Sequence, residues 1–205
     1  MKRIFIIIAL LLSSLMFCVR KDVLDNIEFK EVVHLKGLRN SNLFLPVGKK
    51  IWNKNSLKYV IRFTESCLYS KLPLSPITGL DENSSWNKLI YIGSFNPHTK
   101  GANFGWRYYN DRLQISARIY DNDTGDNINH LVLWDKDIDI NINYILEDRN
   151  ENGKHYWFFN NEKVAEYDEE VPNTWISQPY FGGGDGLPWQ GNVPTQDIKM
   201  LIYIY

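Results

Sequence analysis

The segment ANFGWRYYNDRLQISARIY, residues 102–120, restricts the fold more than any other, because its apolar residues match across a turn in one register. A two-residue turn at Asn110 and Asp111 sets Trp106 opposite Ile115 and pairs the neighbouring apolar positions in the same way. A shift by one residue would place every apolar side chain opposite a polar one. The segment therefore predicts an antiparallel β-hairpin with one apolar and one polar face.

The rest of the chain has the same β character. Short apolar runs rich in Ile, Val, Tyr, Phe and Trp alternate with Asn, Asp, Gly, Pro and Ser, and no helical period extends beyond a turn or two. A second hairpin is predicted over 142–160, with its turn at Asn152–Gly153. The alternation in DIDININYILE, residues 137–147, predicts one long strand, and the uninterrupted apolar run Leu89–Ile92 predicts a central strand covered on both sides.

These signals predict an all-β fold, an antiparallel two-sheet β-sandwich of the jelly-roll type. With 205 residues, of which 44% are hydrophobic, the chain is long enough for one domain with a sizeable core. We expect that domain to occupy 26–205.

The first seventeen residues have the pattern of a signal peptide. Lys2 and Arg3 precede the apolar run Ile4–Leu12, and this run is shorter than the roughly 20 residues that span a bilayer. Cys18 follows at the spacing of a bacterial lipoprotein signal, which predicts a lipidated N-terminal cysteine, a tether to Asp25 and a membrane-anchored lipoprotein of the cell envelope. Ordinary cleavage to a secreted or periplasmic protein, or an uncleaved anchor, remain the alternatives.

Cysteine content, charge and the glycine-rich segment bear on which partners and cofactors the sequence predicts. The only other cysteine, Cys67, is then interpreted as a small buried side chain. Loss of the leader leaves 21 basic and 24 acidic residues, and no basic stripe predicts a nucleic-acid partner. The glycine triplet at 182–184 lacks the lysine and helix start of a phosphate loop, so no cofactor is predicted.

Three strings carry a family resemblance: NKLIYIGSFNPH, the hairpin segment above, and QPYFGGG followed by QDIKMLIYI. Their order is similar to that of an uncharacterised family of exported bacterial proteins, and the likeness runs from about Val60 to Tyr205. The layout also resembles the concanavalin A-like jelly roll of lectins and laminin-G-type modules. This resemblance implies the fold and brings no reaction with it.

The polar face of the first hairpin is the candidate ligand site. Guanidinium groups, phenols and an amide around a glycine suit a glycan or a carboxylate-bearing ligand, and the alternative is a structural sheet face. Seven Trp and twelve Tyr, several in loops, favour carbohydrate, since aromatic rings stack on sugars. The predicted ligand-binding residues are Arg107, Tyr109, Gln114, Arg118, Tyr120, His98 and Trp189.

Two acidic motifs supply alternative hypotheses. Glu166, Asp168 and Glu170 have the E-x-D-x-E spacing of jelly-roll glucanases, which makes a glycan hydrolase the alternative function. Asp148, Asn150 and Asn152 resemble the start of a calcium loop and are better explained as a hairpin turn. The sequence therefore predicts a non-catalytic envelope lipoprotein that binds carbohydrate or another surface ligand, with a hydrolase or a purely structural, protein-binding role as alternatives.

Overall fold

The computed structural model describes residues 28–36, 50–51, 54–69, 86–94, 100–121, 129–177, 179–181 and 194–205. Within these ranges the chain is almost entirely β, and the only helical segment is a 3-10 turn at Glu65–Cys67. None of the described helical segments is long and apolar enough to cross a membrane. The strands are β1 (Lys30–His34), β2 (Lys50–Ile51), β3 (Ser56–Phe63), β4 (Asn87–Gly93), β5 (Lys100–Tyr109), β6 (Arg112–Asp121), β7 (Asn129–Ile138), β8 (Asn143–Glu151), β9 (Lys154–Phe159), β10 (Glu162–Tyr167), β11 (Trp175–Ser177) and β12 (Ile198–Ile204).

The strands form two six-stranded antiparallel sheets. The first sheet has the order β1-β12-β3-β8-β9-β10, and the second has the order β2-β11-β4-β5-β6-β7. Alternate side chains of both sheets are buried in a shared core, and the remaining side chains form the outer faces. The predicted all-β, two-sheet sandwich is confirmed.

Both predicted hairpins are confirmed, the first in its predicted register and the second with its turn at the predicted residues. In the first, Trp106 lies opposite Ile115, and in the second, β8 and β9 pair on either side of Asn152–Gly153. Both turns have positive φ at their two central residues, as a type I′ turn requires. The same geometry recurs at Asn160–Asn161, where it joins β9 to β10.

The single long strand predicted over 137–147 is wrong. β7 ends at Ile138, the chain turns with φ of 61° at Asn141, and β8 of the other sheet begins at Asn143. Ile138 is 9% exposed, whereas Ile142 is 49% exposed. Apolar and polar residues continue to alternate through the turn that connects the two sheets. Alternation alone therefore does not distinguish one extended strand from two strands joined by a tight turn.

An aromatic cluster fills one part of the core. Trp106 is fully buried, with ring centroids 5.6 Å from Phe63, 6.0 Å from Tyr69 and 5.9 Å from Phe181. Pro179 and Phe181 are buried, and the backbone of Tyr180 pairs with Lys88 at the start of β4. The C-terminal segment is thus tied to the second sheet just before residue 182.

Cys67 is buried and free, as the sequence predicts. Its Sγ donates to the carbonyl of Lys199 at 3.3 Å, and burial raises the pKa of the thiol to about 12. A thiol that stays protonated and shielded in this way is chemically inert.

Candidate functional site

The outer face of the second sheet, defined here as the side turned away from the first sheet, carries the predicted ligand residues of the hairpin. Arg107 lies opposite Gln114, and Ser116 lies opposite Gly105, while the residues between them point into the core. Alternation along the paired strands β5 and β6 therefore places these predicted residues on one surface: Arg107, Tyr109, Gln114, Arg118 and Tyr120.

A chain of hydrogen bonds crosses this face from β5 to β7. The Nε of Arg107 donates to Oε1 of Gln114 at 2.8 Å, and Nε2 of Gln114 donates to Oδ1 of Asp137 at 2.8 Å. Nη1 of Arg112 donates to the other Asp137 oxygen at 2.9 Å. The hydrogen bond from Gln114, followed by that from Arg112, lowers the pKa of the Asp137 carboxyl group.

Aromatic rings flank Arg107. Its guanidinium lies 4.1 Å from the ring centroid of Trp86 and 4.9 Å from that of Tyr109. Partial burial is the main cause that lowers the pKa of Arg107, and the charge of Asp135 opposes it. Arg107 is thus a planar cation with an ordered orientation, held between stacking surfaces on a half-buried part of the sheet.

A second group of cations and rings lies farther along the face. Nζ of Lys88 lies 4.6 Å from the ring centroid of Tyr120 and 5.8 Å from that of Tyr180. The guanidinium of Arg118 lies 5.4 Å from the same Tyr120 ring. Burial raises the pKa of Tyr120 to about 12, with Arg118 acting in the opposite direction, so the phenol is neutral at physiological pH.

Three glycines of β4 and β5 leave space on this face for neighbouring side chains. A Cβ at Gly101 would lie 2.3 Å from Oη of Tyr91, and one at Gly93 would lie 2.2 Å from it. A Cβ at Gly105 would lie 2.7 Å from Cδ of Arg118. The missing side chains therefore allow the tyrosine ring and the arginine stem to lie flat across the strands.

Other residues of this face were not predicted. Tyr91 lies within the apolar run Leu89–Ile92 and Lys88 directly precedes it, and a register shift between these two residues turns both side chains outward. Asp135 and Asp137 face the hairpin from β7. The sequence pattern does not predict that β7 pairs with β6, because it places Asp137 in a long strand over 137–147. Trp86 precedes β4 and carries no sequence signal of its own.

Comparison with solved structures identifies the architecture. No protein-family profile matches the chain, and no curated protein matches it. An endo-acting O-glycanase structure, from work on human gut microbiota and the initiation of mucin breakdown, is similar with a TM-score of 0.53, 14% identity, and coverage of 86% of this chain and 76% of that chain. The catalytic domain of the endo-1,3-β-glucanase (laminarinase) from Thermotoga petrophila RKU-1 is similar with a TM-score of 0.50 and 8% identity, and the match covers 86% of this chain and 75% of that chain.

The protein is a jelly-roll β-sandwich. At these identities the likeness establishes the fold alone.

Of the three E-x-D-x-E carboxylates, Glu166 lies on a strand of the first sheet, and Asp168 and Glu170 follow the end of that strand. Glu166 is on the edge strand β10 and pairs with Lys163 at 2.7 Å, while Asp168 is exposed and pairs with Lys154 at 2.7 Å. Glu170 accepts a hydrogen bond at 3.2 Å from the backbone N–H of the β8–β9 turn. These lysine partners lower the pKa of Glu166 and of Asp168. The geometry gives the hydrolase hypothesis no support from this motif.

The calcium loop suggested by Asp148, Asn150 and Asn152 is not formed. Asp148 and Asn150 lie on the inner face of β8, where Asn150 Oδ1 accepts from Nδ1 of His155 at 2.7 Å, and only Asn152 lies in the turn. Burial raises the pKa of Asp148, which faces Nε2 of His155 at 3.6 Å. No cluster of metal-ligating residues occurs in the described ranges.

Three predicted residues lie outside the described ranges: His98, Trp189 and Cys18. Their roles in ligand binding and in lipidation stay predictions.

Proposed function

We propose that this protein binds carbohydrate on the outer face of the second sheet and does not cleave it. The observation that carries the proposal is the arrangement around Arg107, where an oriented guanidinium, the amide of Gln114 and the ring of Trp86 lie together on one surface. Sugars present both apolar ring faces and equatorial hydroxyl groups, so a site for them needs stacking rings and fixed polar groups side by side.

The extent of the face fits an extended ligand. Strands β11, β4, β5, β6 and β7 are neighbours in the second sheet, and five strands at a spacing of about 4.8 Å give a width of about 19 Å. The hydrogen-bonded chain through Gln114 to Asp137 fixes polar groups over three of these strands. The similar jelly rolls are described as acting on glycans, which supports carbohydrate as the ligand class.

Binding without cleavage is favoured by the state of the Asp137 carboxyl group on this face. A glycosidase needs a carboxylic acid whose pKa is raised, so that it is protonated when it meets the glycosidic oxygen. The pKa of Asp137 is lowered instead, by Gln114 and Arg112. Glu166, on a strand of the other sheet, and Asp168, which follows that strand, carry lowered pKa values as well.

Replacement of Trp86 by alanine is expected to weaken glycan binding about 30-fold, the effect of losing an interaction of about 2 kcal/mol. The ring stacks on Arg107 and is half-buried, so its loss removes a stacking surface and frees the guanidinium. The measurement is a glycan array with the wild-type protein, followed by calorimetry of the strongest oligosaccharide with both proteins.

Tyr203→Ala is the matched control, because Tyr203 is an aromatic residue on the outer face of the first sheet. Its affinity should equal that of the wild type. No signal on the array, with none at millimolar oligosaccharide by calorimetry, would reject the proposed function. A stable protein partner recovered after mild crosslinking would then favour the protein-binding alternative.

We also propose that the chain is anchored in the cell envelope through lipid on Cys18. The support is the order of Lys2, Arg3, a short apolar run and a cysteine. Labelled palmitate should enter the wild-type protein and not Cys18→Ser. Equal labelling of both, or of neither, would contradict the anchor without affecting the proposal about glycans.

A further inference from the structure

Among the described residues, Arg118 lacks the partners that a buried arginine normally has. It is 5% exposed, and the one hydrogen bond that it makes to a described residue runs from Nη1 to the carbonyl of Trp86 at 3.4 Å, a long distance. Within the described part of the chain its buried Nε has no acceptor, and no carboxylate forms an ion pair with it. A guanidinium is always charged, and leaving such a group buried without a counter-charge is costly.

Other cations surround this arginine. Arg107 stacks on the ring of Trp86, whose carbonyl Arg118 contacts, and Lys88 and Arg118 both lie against Tyr120. The charge of Arg118 also contributes to the lowered pKa of Arg107, behind the larger effect of burial. Lys88, Arg107 and Arg118, called here the basic cluster, thus repel one another within one small area.

Polar atoms without partners lie next to the basic cluster. Asn103 is directly opposite Arg118 in the β5–β6 register. Ser116 is two residues before Arg118 on β6 and therefore lies on the same face. Within the described residues, Oδ1 of Asn103 and Oγ of Ser116 are buried and make no hydrogen bond. Among the described residues, the charge of Arg118 is thus surrounded by polar groups that are themselves uncompensated.

We infer that the glycan bound on this face is acidic, and that the basic cluster receives a carboxylate or sulfate group on one of its sugars. This inference rests on the proposed function and specifies its ligand class. Lys88 and Arg107 are half-buried and reach the surface, while Arg118 is buried on the same face, shares the Tyr120 ring with Lys88 and contributes its charge. Asp135 offsets part of the charge of Arg107, whereas no carboxylate in the described ranges forms an ion pair with Arg118, so we expect Arg118 to contribute most to the preference for an acidic ligand.

The test compares charged and uncharged forms of one sugar with the full chain. Calorimetry uses tetragalacturonide and its methyl ester, and a sulfated galactose oligosaccharide with its desulfated form. We expect one acidic form to bind about tenfold or more tighter than its neutral form, a difference of about 1.4 kcal/mol. The pair that shows the preference identifies carboxylate or sulfate. The preference should fall as salt rises from 0.05 to about 0.5 M.

Arg118→Met distinguishes binding from a structural role. The variant keeps most of the apolar stem and removes the charge, so we expect the preference for the acidic form to disappear while the unfolding temperature stays equal or rises. A lower unfolding temperature with an intact preference would overturn the inference.

Failure of the inference can be told from failure of the proposed function. Equal affinity for charged and neutral glycans, unchanged in Arg118→Met and insensitive to salt, would overturn the inference and leave glycan binding standing. Absence of binding to every glycan of the array, charged or neutral, would reject the proposed function and the inference with it.

Discussion

Replacement of Trp106 by alanine will lower the free energy of unfolding by about 3–5 kcal/mol. The side chain is fully buried between the sheets and contacts three other aromatic rings, at Phe63, Tyr69 and Phe181. Its removal leaves a large cavity, because the neighbouring strands are fixed by their ladders and cannot collapse into it. Chemical denaturation measures the change.

Two variants control this prediction. Trp106→Phe should cost clearly less, since it keeps one ring and removes an indole N–H that is buried without an acceptor among the described residues. Trp86→Ala removes a tryptophan that is only half-buried and should cost less again. A loss below about 1 kcal/mol for Trp106→Ala would mean that this cluster is not the core of the sandwich.

Replacement of Gly101 by alanine is expected to cost about 1–3 kcal/mol, although it adds a single methyl group. The new Cβ would lie 2.4 Å from ring atoms of Tyr91, which is 1% exposed and whose Oη donates to the carbonyl of Lys100 at 2.9 Å. The ring must leave the surface of the strands, and that hydrogen bond is lost with it. Chemical denaturation again measures the change.

A double-mutant cycle tests this cause directly. In a Tyr91→Ala background the clash no longer exists, so Gly101→Ala should cost only a few tenths of a kcal/mol there. Equal costs in the two backgrounds would show that the glycine is required for another reason. The same cycle tests the ligand face, because a displaced Tyr91 ring would alter the surface next to Tyr120, with which it makes an edge contact at 5.9 Å.

Local sequence predicted the parts of the fold that local chemistry decides. The first hairpin has a turn with positive φ at Asn110 and Asp111, residues that tolerate this conformation, and apolar residues that match in one register. The shared face of Arg107 and Gln114 follows from that register alone, because side chains alternate along paired strands. The part of the ligand face that β5 and β6 contribute could therefore be predicted from the sequence.

The parts that depend on long-range pairing could not be predicted in this way. The corner at Asn141 preserves the alternation of a strand, so the approach of Asp137 to Gln114 was hidden. The outward turn of Lys88 depends on a register shift against β5, and the isolation of Arg118 depends on which charges the fold leaves nearby. Each of these is a property of the packed sheet and not of a sequence window.

Binding of glycan to the outer face of the second sheet can be tested by locating the bound ligand. Backbone resonances of the isotope-labelled protein are followed while the oligosaccharide with the strongest array signal is added. If glycan binds there, the chemical-shift changes will concentrate on β4, β5 and β6, at Lys88, Arg107 and Gln114 and their neighbours. Shifts that concentrate instead on the first sheet, around Tyr203 or Glu166, would contradict it.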